Sequence, residues 1–433
     1  MSYHFPEGFL WGASTAAHQV EGNNVNSDFW VMENLDGSTF KEPSGDAVDH
    51  YRLFREDIAL MEKLGMNAYR FSIEWARIEP EEGVFNETEI EHYRDVLKAC
   101  QENKITPIVT LHHFTSPAWL IRSGGWESAE TPFRFARYCS YVMRKLGDMI
   151  PYVCTINEAN ISIGIAKIIK RHQINASAVQ VGINTDKGTR MQAYYAALSD
   201  AFNVHPQEVH SFLGPRTEKG LEIIFQAHVE ARNAIRCVSP STRIGITMSL
   251  YDIQSISGGE KQAEHALNEE FLRFQAYLKE DDFFGLQNYT RAVYGPDGML
   301  PIPDDAEKTQ MGNEYYPQAL EAVIRYVAKQ LDMPVLVTEN GVATDQDERR
   351  IAFIQRALTG VHACIADGIP VIGYMHWSLL DNFEWQLGFS KTFGLIAVDR
   401  TTQQRYPKPS AYYYGKIAAT NRLADEDSQS IVE

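Results

Sequence analysis

Residues 152–158 read YVCTINE and residues 334–339 read PVLVTE, two short runs of apolar and β-branched residues that each end in a glutamate. Such runs, without polar alternation, are typical of strands buried on both faces of a parallel sheet. The glutamates are Glu158 and Glu339. Because a carboxylate at the end of a buried strand is costly, the pair indicates that this end of the sheet does more than pack.

Similar runs recur along the chain and alternate with segments of helical period, which predicts a repeated βα unit. The eight predicted strands are Phe9–Ser14, Asn67–Glu74, Thr106–His113, Tyr152–Glu158, Thr242–Leu250, Phe283–Tyr289, Pro334–Glu339 and Val371–Trp377. The predicted helices are Ala47–Leu64, Glu87–Asn103, Thr131–Gly147, Leu221–Val238, Lys261–Lys279, Pro317–Leu331 and Asp347–Asp367.

Eight such units in 433 residues predict an α/β fold, a single (β/α)8 TIM barrel over residues 1–433 with its active site at the C-terminal ends of the strands. Residues 424–433 are predicted to be a frayed polar tail. An open doubly wound sheet is the structural alternative. It would lack its usual nucleotide signature, because no Gly-x-Gly-x-x-Gly follows the first strand.

Composition excludes several kinds of partner. The net charge of −17 and the pI near 5.3 argue against nucleic acid and anionic membranes, which require basic surface. We expect no secretory signal and no membrane span, since no long apolar segment is present. The five scattered cysteines lack metal-ligand spacing and predict free thiols in a reducing cytoplasm. No metal or cofactor is predicted, and a homo-oligomer is left open.

Polar and aromatic residues lie at the predicted C-terminal strand ends, where a barrel of this kind carries its active site. They are Gln19, Arg70, Glu74, His113, Asn157, Glu158, Tyr289, Glu339 and Trp377. Arg70 is explained equally by a structural ion pair or by orienting Glu339 and keeping it ionised. His113 alone is explained by a hydrogen-bonded core histidine, and only one of His112 and His113 is expected to face the site.

The segment from Trp377 to Trp385 places two indoles around Glu384. Tryptophan faces pack on the apolar faces of sugar rings, and a carboxylate accepts hydrogen bonds from sugar hydroxyls. A packed hydrophobic loop with a solvated acid is the alternative. Together with two strand-end carboxyl groups, which cleavage of a glycosidic bond requires, the segment indicates an enzyme that acts on sugars.

With these residues assembled, nearly the whole chain resembles the β-glycosidases of glycoside hydrolase family 1. The similar motifs are FLWGASTAAHQVEG at 9–22, YRFSIEW at 69–75, TENG at 338–341 and the segment 377–385. The resemblance implies that Glu339 is the nucleophile, Glu158 the acid/base, and Tyr289 a hydrogen-bond partner of Glu339. It further implies that sugar hydroxyls and rings are bound by Gln19, His113, Trp119, Asn157, Trp377, Glu384 and Trp385.

The chain departs from the family pattern at three places. The family's Asn-Glu-Pro is Asn157-Glu158-Ala159, its Asn-Tyr-Tyr is Gln287-Asn288-Tyr289, and the region after Asn160 lacks the usual Gly- and Pro-containing pattern. Neighbours in a regular strand face opposite ways, so Asn157 and Glu158 can both reach a sugar only if the strand ends or bulges there. The long connections 160–219 and 290–316 are expected to shape the entrance for the leaving group.

The expected activity is that of a retaining, exo-acting β-glycosidase, a β-glucosidase that extends to β-galactosides and β-fucosides, with a small β-glycoside or oligosaccharide as substrate. A 6-phospho-β-glycosidase is the first alternative, but Glu384 would repel the phosphate. The second is an inactive carbohydrate-binding barrel, which has no need of the second carboxylate.

Overall fold

Eight parallel strands form a closed barrel in the computed structural model, which describes residues 2–172 and 191–424. The strands are β1 (Leu10–Ser14), β2 (Ala68–Ser72), β3 (Thr106–His112), β4 (Tyr152–Ile156), β5 (Arg243–Gly245 and Thr247–Ser249), β6 (Phe284–Gln287), β7 (Val335–Asn340) and β8 (Val371–Trp377). β8 pairs with β1, and the two parts of β5 pair with β4 and β6. The predicted (β/α)8 TIM barrel is confirmed.

Helices surround the barrel. The longer ones are His50–Lys63, Glu87–Glu102, Thr131–Leu146, Ile161–His172, Met191–Phe202, Glu218–Val238, Glu260–Glu270, Ala319–Gln330, Asp347–Ala366 and Pro409–Thr420. The short ones are Ala17–Val20, Asp28–Glu33, Trp75–Ile78, Ala118–Arg122 and Gln275–Leu278. Strands outside the barrel are Ser2–His4, Asp252–Ser255, Arg291–Gly295, Gly298–Met299, Ile396–Asp399, Gln404–Pro407 and Arg422–Ala424.

The helix Thr131–Leu146 illustrates how the sequence builds this outer layer. Pro132 lies in its first turn, where a missing N–H costs nothing. Phe135, Cys139 and Val142 are among its buried residues, and their spacing places them on one face of a helix. That helix packs closely against Glu218–Val238.

Several predicted boundaries are wrong by a few residues. β2 ends at Ser72 rather than at Glu74, because the Glu74 carboxylate caps the helix Trp75–Ile78 by accepting from the Ala76 N–H at 3.3 Å. Ile246 interrupts β5, which was predicted as one strand. Residue Ala424 belongs to a strand that pairs with Ser2–His4 rather than to a tail, and residues 425–433 lie outside the described part of the chain.

Two further observations concern the cysteines and the helices. All five cysteines are free thiols, as predicted. Across residues 2–172 and 191–424, the structure contains no helix with the length and apolar character needed to cross a membrane.

Asp28 makes the stability of the fold dependent on pH. Its fully buried carboxyl accepts hydrogen bonds from the Phe29 and Ser116 N–H groups, both at 2.9 Å, and burial raises its pKa from 3.8 to about 7. The folded state thus holds this proton more tightly than the unfolded state, so stabilisation is full below pH 3.8 and is lost as the pH rises through 7. We expect the unfolding free energy of the wild type to fall between acid and alkaline pH by about 2–4 kcal/mol more than that of Asp28→Asn. Urea denaturation of both proteins on the acid side and on the alkaline side of pH 7 measures this difference. An equal change in unfolding free energy for the wild type and Asp28→Asn would contradict it.

Candidate active site

A cavity opens among the C-terminal ends of the barrel strands, with about 1020 Å³ of empty space when the solvent at its mouth is included. The eight predicted site residues that line it are His113, Asn157, Glu158, Tyr289, Glu339, Trp377, Glu384 and Trp385. They come from strand ends and connections that are far apart in the sequence, and the barrel brings them to one edge.

Glu339 lies on β7 and is held by two strong donors. The Arg70 guanidinium donates from Nη1 to Glu339 Oε1 at 2.6 Å, and the Tyr289 hydroxyl donates to Oε2 at 2.6 Å. Arg70 is fully buried within β2. Burial raises the pKa of Glu339, while the charge of Arg70 and the Tyr289 hydrogen bond lower it. Both explanations of Arg70 therefore apply, because it forms a buried ion pair and its hydrogen bond orients Glu339.

Glu158 lies just beyond β4, which ends at Ile156, and its backbone has a left-handed φ of +43°. The predicted end of the strand at this point is confirmed, and it allows both Asn157 and Glu158 to line the cavity. Burial and the nearby charge of Glu339 raise the pKa of Glu158 well above its ordinary value. A hydrogen bond to Ser249 only partly offsets this. Of the two carboxyl groups, Glu158 has the surroundings that favour the protonated form more strongly, because no cation contacts it as Arg70 contacts Glu339 in the described part of the chain.

The Asn157 side chain is oriented by the groups around it. Its Oδ1 accepts from Arg70 Nη2 at 2.6 Å and from Gln287 Nε2 at 2.7 Å. Its Nδ2 lies 3.1 Å from His113 Nε2. One guanidinium thus contacts both Glu339 and Asn157.

The rings of His113, Trp377 and Trp385 and the carboxyl group of Glu384 form another part of the cavity wall. The His113 ring is stacked at 5.8 Å from Trp377 and at 6.0 Å from Trp385. His112 points away from the cavity toward Ser116 and Trp126, so the prediction that only one histidine faces the site is confirmed. Burial and the charge of Glu339 raise the pKa of Glu384 to about 8.

Two of the residues predicted to bind the sugar do not line the cavity. Gln19 lies behind the wall, where its Nε2 donates to the Phe383 carbonyl at 2.7 Å, and among residues 2–172 and 191–424 its buried Oε1 has no hydrogen-bond partner. Trp119 donates its indole N–H to the Glu79 carbonyl at 2.8 Å and packs edge-on against Trp75. The placement of Trp119 in the sugar pocket is therefore wrong, and Phe114 lines the cavity instead.

Other lining residues were not predicted individually. The long connections supply Asn160, Ile161 and Gly164 from one segment and Thr309, Met311 and Asn313 from the other. Thr247 and Ser249 of β5 contact the turn that carries Glu158. For Asn313, the only feature of the sequence that indicated a place in the site was its position in the long connection 290–316.

Two buried carboxyl groups in a cavity with indole walls, at the C-terminal face of a (β/α)8 barrel, define a glycoside hydrolase. The chain matches the model of glycosyl hydrolase family 1 over residues 1–285 and 275–423. It belongs to that family and is a retaining β-glycosidase.

Relatives and solved structures agree with this assignment. Beta-glucosidase A of Thermotoga maritima is 31% identical over 97% of this chain and 99% of its own length. The crystal structure of beta-glycosidase BGL167 is 48% identical, with a TM-score of 0.88 over 97% of this chain and 98% of that one. A beta-glycosidase from Pyrococcus horikoshii is 32% identical, with a TM-score of 0.80 over 98% of this chain and 97% of its own.

Proposed function

We propose that the protein is an exo-acting β-glucosidase in which Glu339 is the nucleophile and Glu158 is the acid/base. The observation that carries these roles is the difference between the two carboxyl groups. Glu339 is ion-paired with Arg70 and hydrogen-bonded by Tyr289. No ion pair of Glu158 is found among the described residues, and burial favours its neutral form. A nucleophile must be ionised and a general acid must hold a proton.

The reaction follows in two displacements. Glu339 attacks the anomeric carbon and forms an ester, while Glu158 donates its proton to the departing glycosidic oxygen. Glu158, now a carboxylate, then takes a proton from water, and the resulting hydroxide oxygen attacks the same carbon and releases Glu339. Each displacement inverts the anomeric centre, so the β configuration is retained.

The sugar-binding end favours a neutral glycone. In the described part of the chain, no side chain hydrogen-bonds the Glu384 carboxyl, which leaves both oxygens open to sugar hydroxyls. A phosphate at this end would lie against Glu384 and near Glu339, which disfavours a 6-phosphoglycoside. The name of the Thermotoga maritima relative supports glucose as the preferred sugar. The free cysteines support a reducing, cytoplasmic location.

Covalent trapping tests the nucleophile. A 2-deoxy-2-fluoro-β-glucosyl donor with a good leaving group should inactivate the enzyme and leave one glycosyl group on the peptide that contains Glu339. Peptide mass spectrometry locates the label. A label on another residue, or turnover that continues with no label, would exclude Glu339 as the nucleophile.

A set of aryl glycosides tests the glycone. We expect kcat/KM to be highest for the β-glucoside, lower for the β-galactoside and β-fucoside, and negligible for the 6-phospho-β-glucoside. An exclusive preference for the phosphorylated donor would overturn the role given to Glu384.

A further inference from the structure

Thr247 contacts three consecutive residues of the turn that carries Glu158. We propose that Thr247 is a positioning residue that sets the place of the acid/base, an inference that rests on the roles proposed above. Thr247 is fully buried at the point where β5 resumes after Ile246. It reaches Asn157, Glu158 and Ala159 through its hydroxyl and its carbonyl oxygen.

The hydroxyl uses its full hydrogen-bonding capacity, which is one donor and two acceptor positions. It accepts from the Glu158 N–H at 3.0 Å and from Gln287 Nε2 at 3.2 Å. Its single O–H points between two acceptors, Asn157 Oδ1 at 3.2 Å and the Ile156 carbonyl oxygen at 3.4 Å. One hydroxyl therefore fixes the backbone of the acid/base and supports the amide beside it.

The Thr247 carbonyl oxygen completes the contact by accepting from the Ala159 N–H at 3.0 Å. A proline at position 159, as in the motif that this chain resembles, has no N–H and could not make this bond. In this chain the backbone at residue 159 is therefore held by a hydrogen bond to β5 instead of by a proline ring. Because the acceptor is the backbone carbonyl of residue 247, this bond depends on Ala159 and not on the threonine side chain.

This support matters because β4 does not hold Glu158. The strand ends at Ile156, and Glu158 adopts a left-handed backbone that non-glycine residues rarely take. Such a conformation persists only where the surroundings hold it. Thr247 accepts hydrogen bonds from the N–H groups of Glu158 and Ala159, so the position of the proton donor depends on contacts with a different strand.

Thr247→Ala and Thr247→Ser test the inference with a series of aryl β-glucosides whose leaving groups differ in pKa. Acid assistance contributes most when the leaving group is poor. For Thr247→Ala we expect kcat/KM to fall about 30-fold for a phenyl glucoside, a part of the roughly 10²–10⁴-fold that general acid catalysis contributes in full. For a 2,4-dinitrophenyl glucoside we expect a loss of less than about threefold. Thr247→Ser keeps the hydroxyl and should restore the wild-type dependence on the leaving group.

Thr155→Val is the matched control, because it removes a buried threonine hydroxyl of β4 that bonds His228 Nδ1 at 2.8 Å, outside the cavity. It should not change the dependence on the leaving group. Glu158→Gln, measured in parallel, distinguishes a failure of the role inferred for Thr247 from a failure of the role proposed for Glu158. If Glu158→Gln shows a steep dependence and Thr247→Ala loses activity equally for all leaving groups, or loses none, Thr247 is not a positioning residue. If Glu158→Gln shows no dependence, the proposed role of Glu158 fails first. Thermal melts of every variant establish folding, and Thr247→Val replaces Thr247→Ala should the smaller residue unfold the barrel.

Discussion

Glu339→Gln should lower kcat for an aryl β-glucoside by about 10⁵-fold, the scale of loss when a covalent nucleophile is removed. The amide keeps the shape of the side chain but cannot form the glycosyl ester. Arg70 then loses its ionic partner, although its bond to Asn157 Oδ1 at 2.6 Å remains. Steady-state kinetics measure the loss, and circular dichroism establishes that the variant is folded.

A matched control exists in another buried glutamate. Glu21 is ion-paired with Arg77 and hydrogen-bonded by Tyr93, and it does not line the cavity. Glu21→Gln makes the same chemical change and should leave kcat within about threefold of wild type, with its cost confined to stability. If Glu339→Gln kept a hundredth or more of the wild-type kcat, the nucleophile would have to be sought elsewhere.

Glu158→Ala should have an effect that depends on the substrate. For poor leaving groups we expect kcat/KM to fall by about 10³-fold, within the range of general acid catalysis. For a dinitrophenyl glycoside the first displacement should proceed without acid help, and the glycosyl ester should accumulate because water is no longer activated. Azide, which needs no general base, should then speed turnover and give a β-glycosyl azide.

The pH profile supplies a second readout of Glu158. Because burial and Glu339 raise its pKa well above the ordinary value, the proton needed for the first step is retained in the neutral range and lost as the pH rises through that pKa. The alkaline decline of kcat/KM for a phenyl glucoside should therefore be present in the wild type and absent in Glu158→Ala. An unchanged alkaline decline would assign it to another group.

The sequence predicted the order of the barrel strands well because the signal for each strand is local. Apolar runs such as 152–158 and 334–339 mark buried parallel strands whatever they pair with. Breaks within runs were harder to predict. Nothing in the sequence around Ile246 distinguishes an interrupted strand from a continuous one, and the contacts that Thr247 makes just after the break are with Asn157 and Glu158, about ninety positions earlier.

The site residues that were predicted well were likewise those with a local signal in the sequence. Residues at strand ends, such as Glu158 and Glu339, were found because a buried strand that ends in a carboxylate is unusual. Trp119 was misplaced because its residue type suited a sugar pocket, whereas its indole is turned to the Glu79 carbonyl. Phe114, which lines the cavity, lies next to His113 and was passed over because a phenylalanine there is equally suited to the core.

The single guanidinium shared by Glu339 and Asn157 has a consequence for the energy of the glycosyl ester. With the proposed roles, the first displacement moves one negative charge from Glu339 to Glu158 and leaves the total charge of the cavity unchanged. Arg70 stays where it was, because Asn157 continues to bind it at 2.6 Å. The charge has thus moved away from the cation that it had contacted at 2.6 Å, and in a buried site that separation is unfavourable. Electrostatic attraction toward Arg70 therefore favours the return of the charge to Glu339, which keeps the ester from becoming a stable end point.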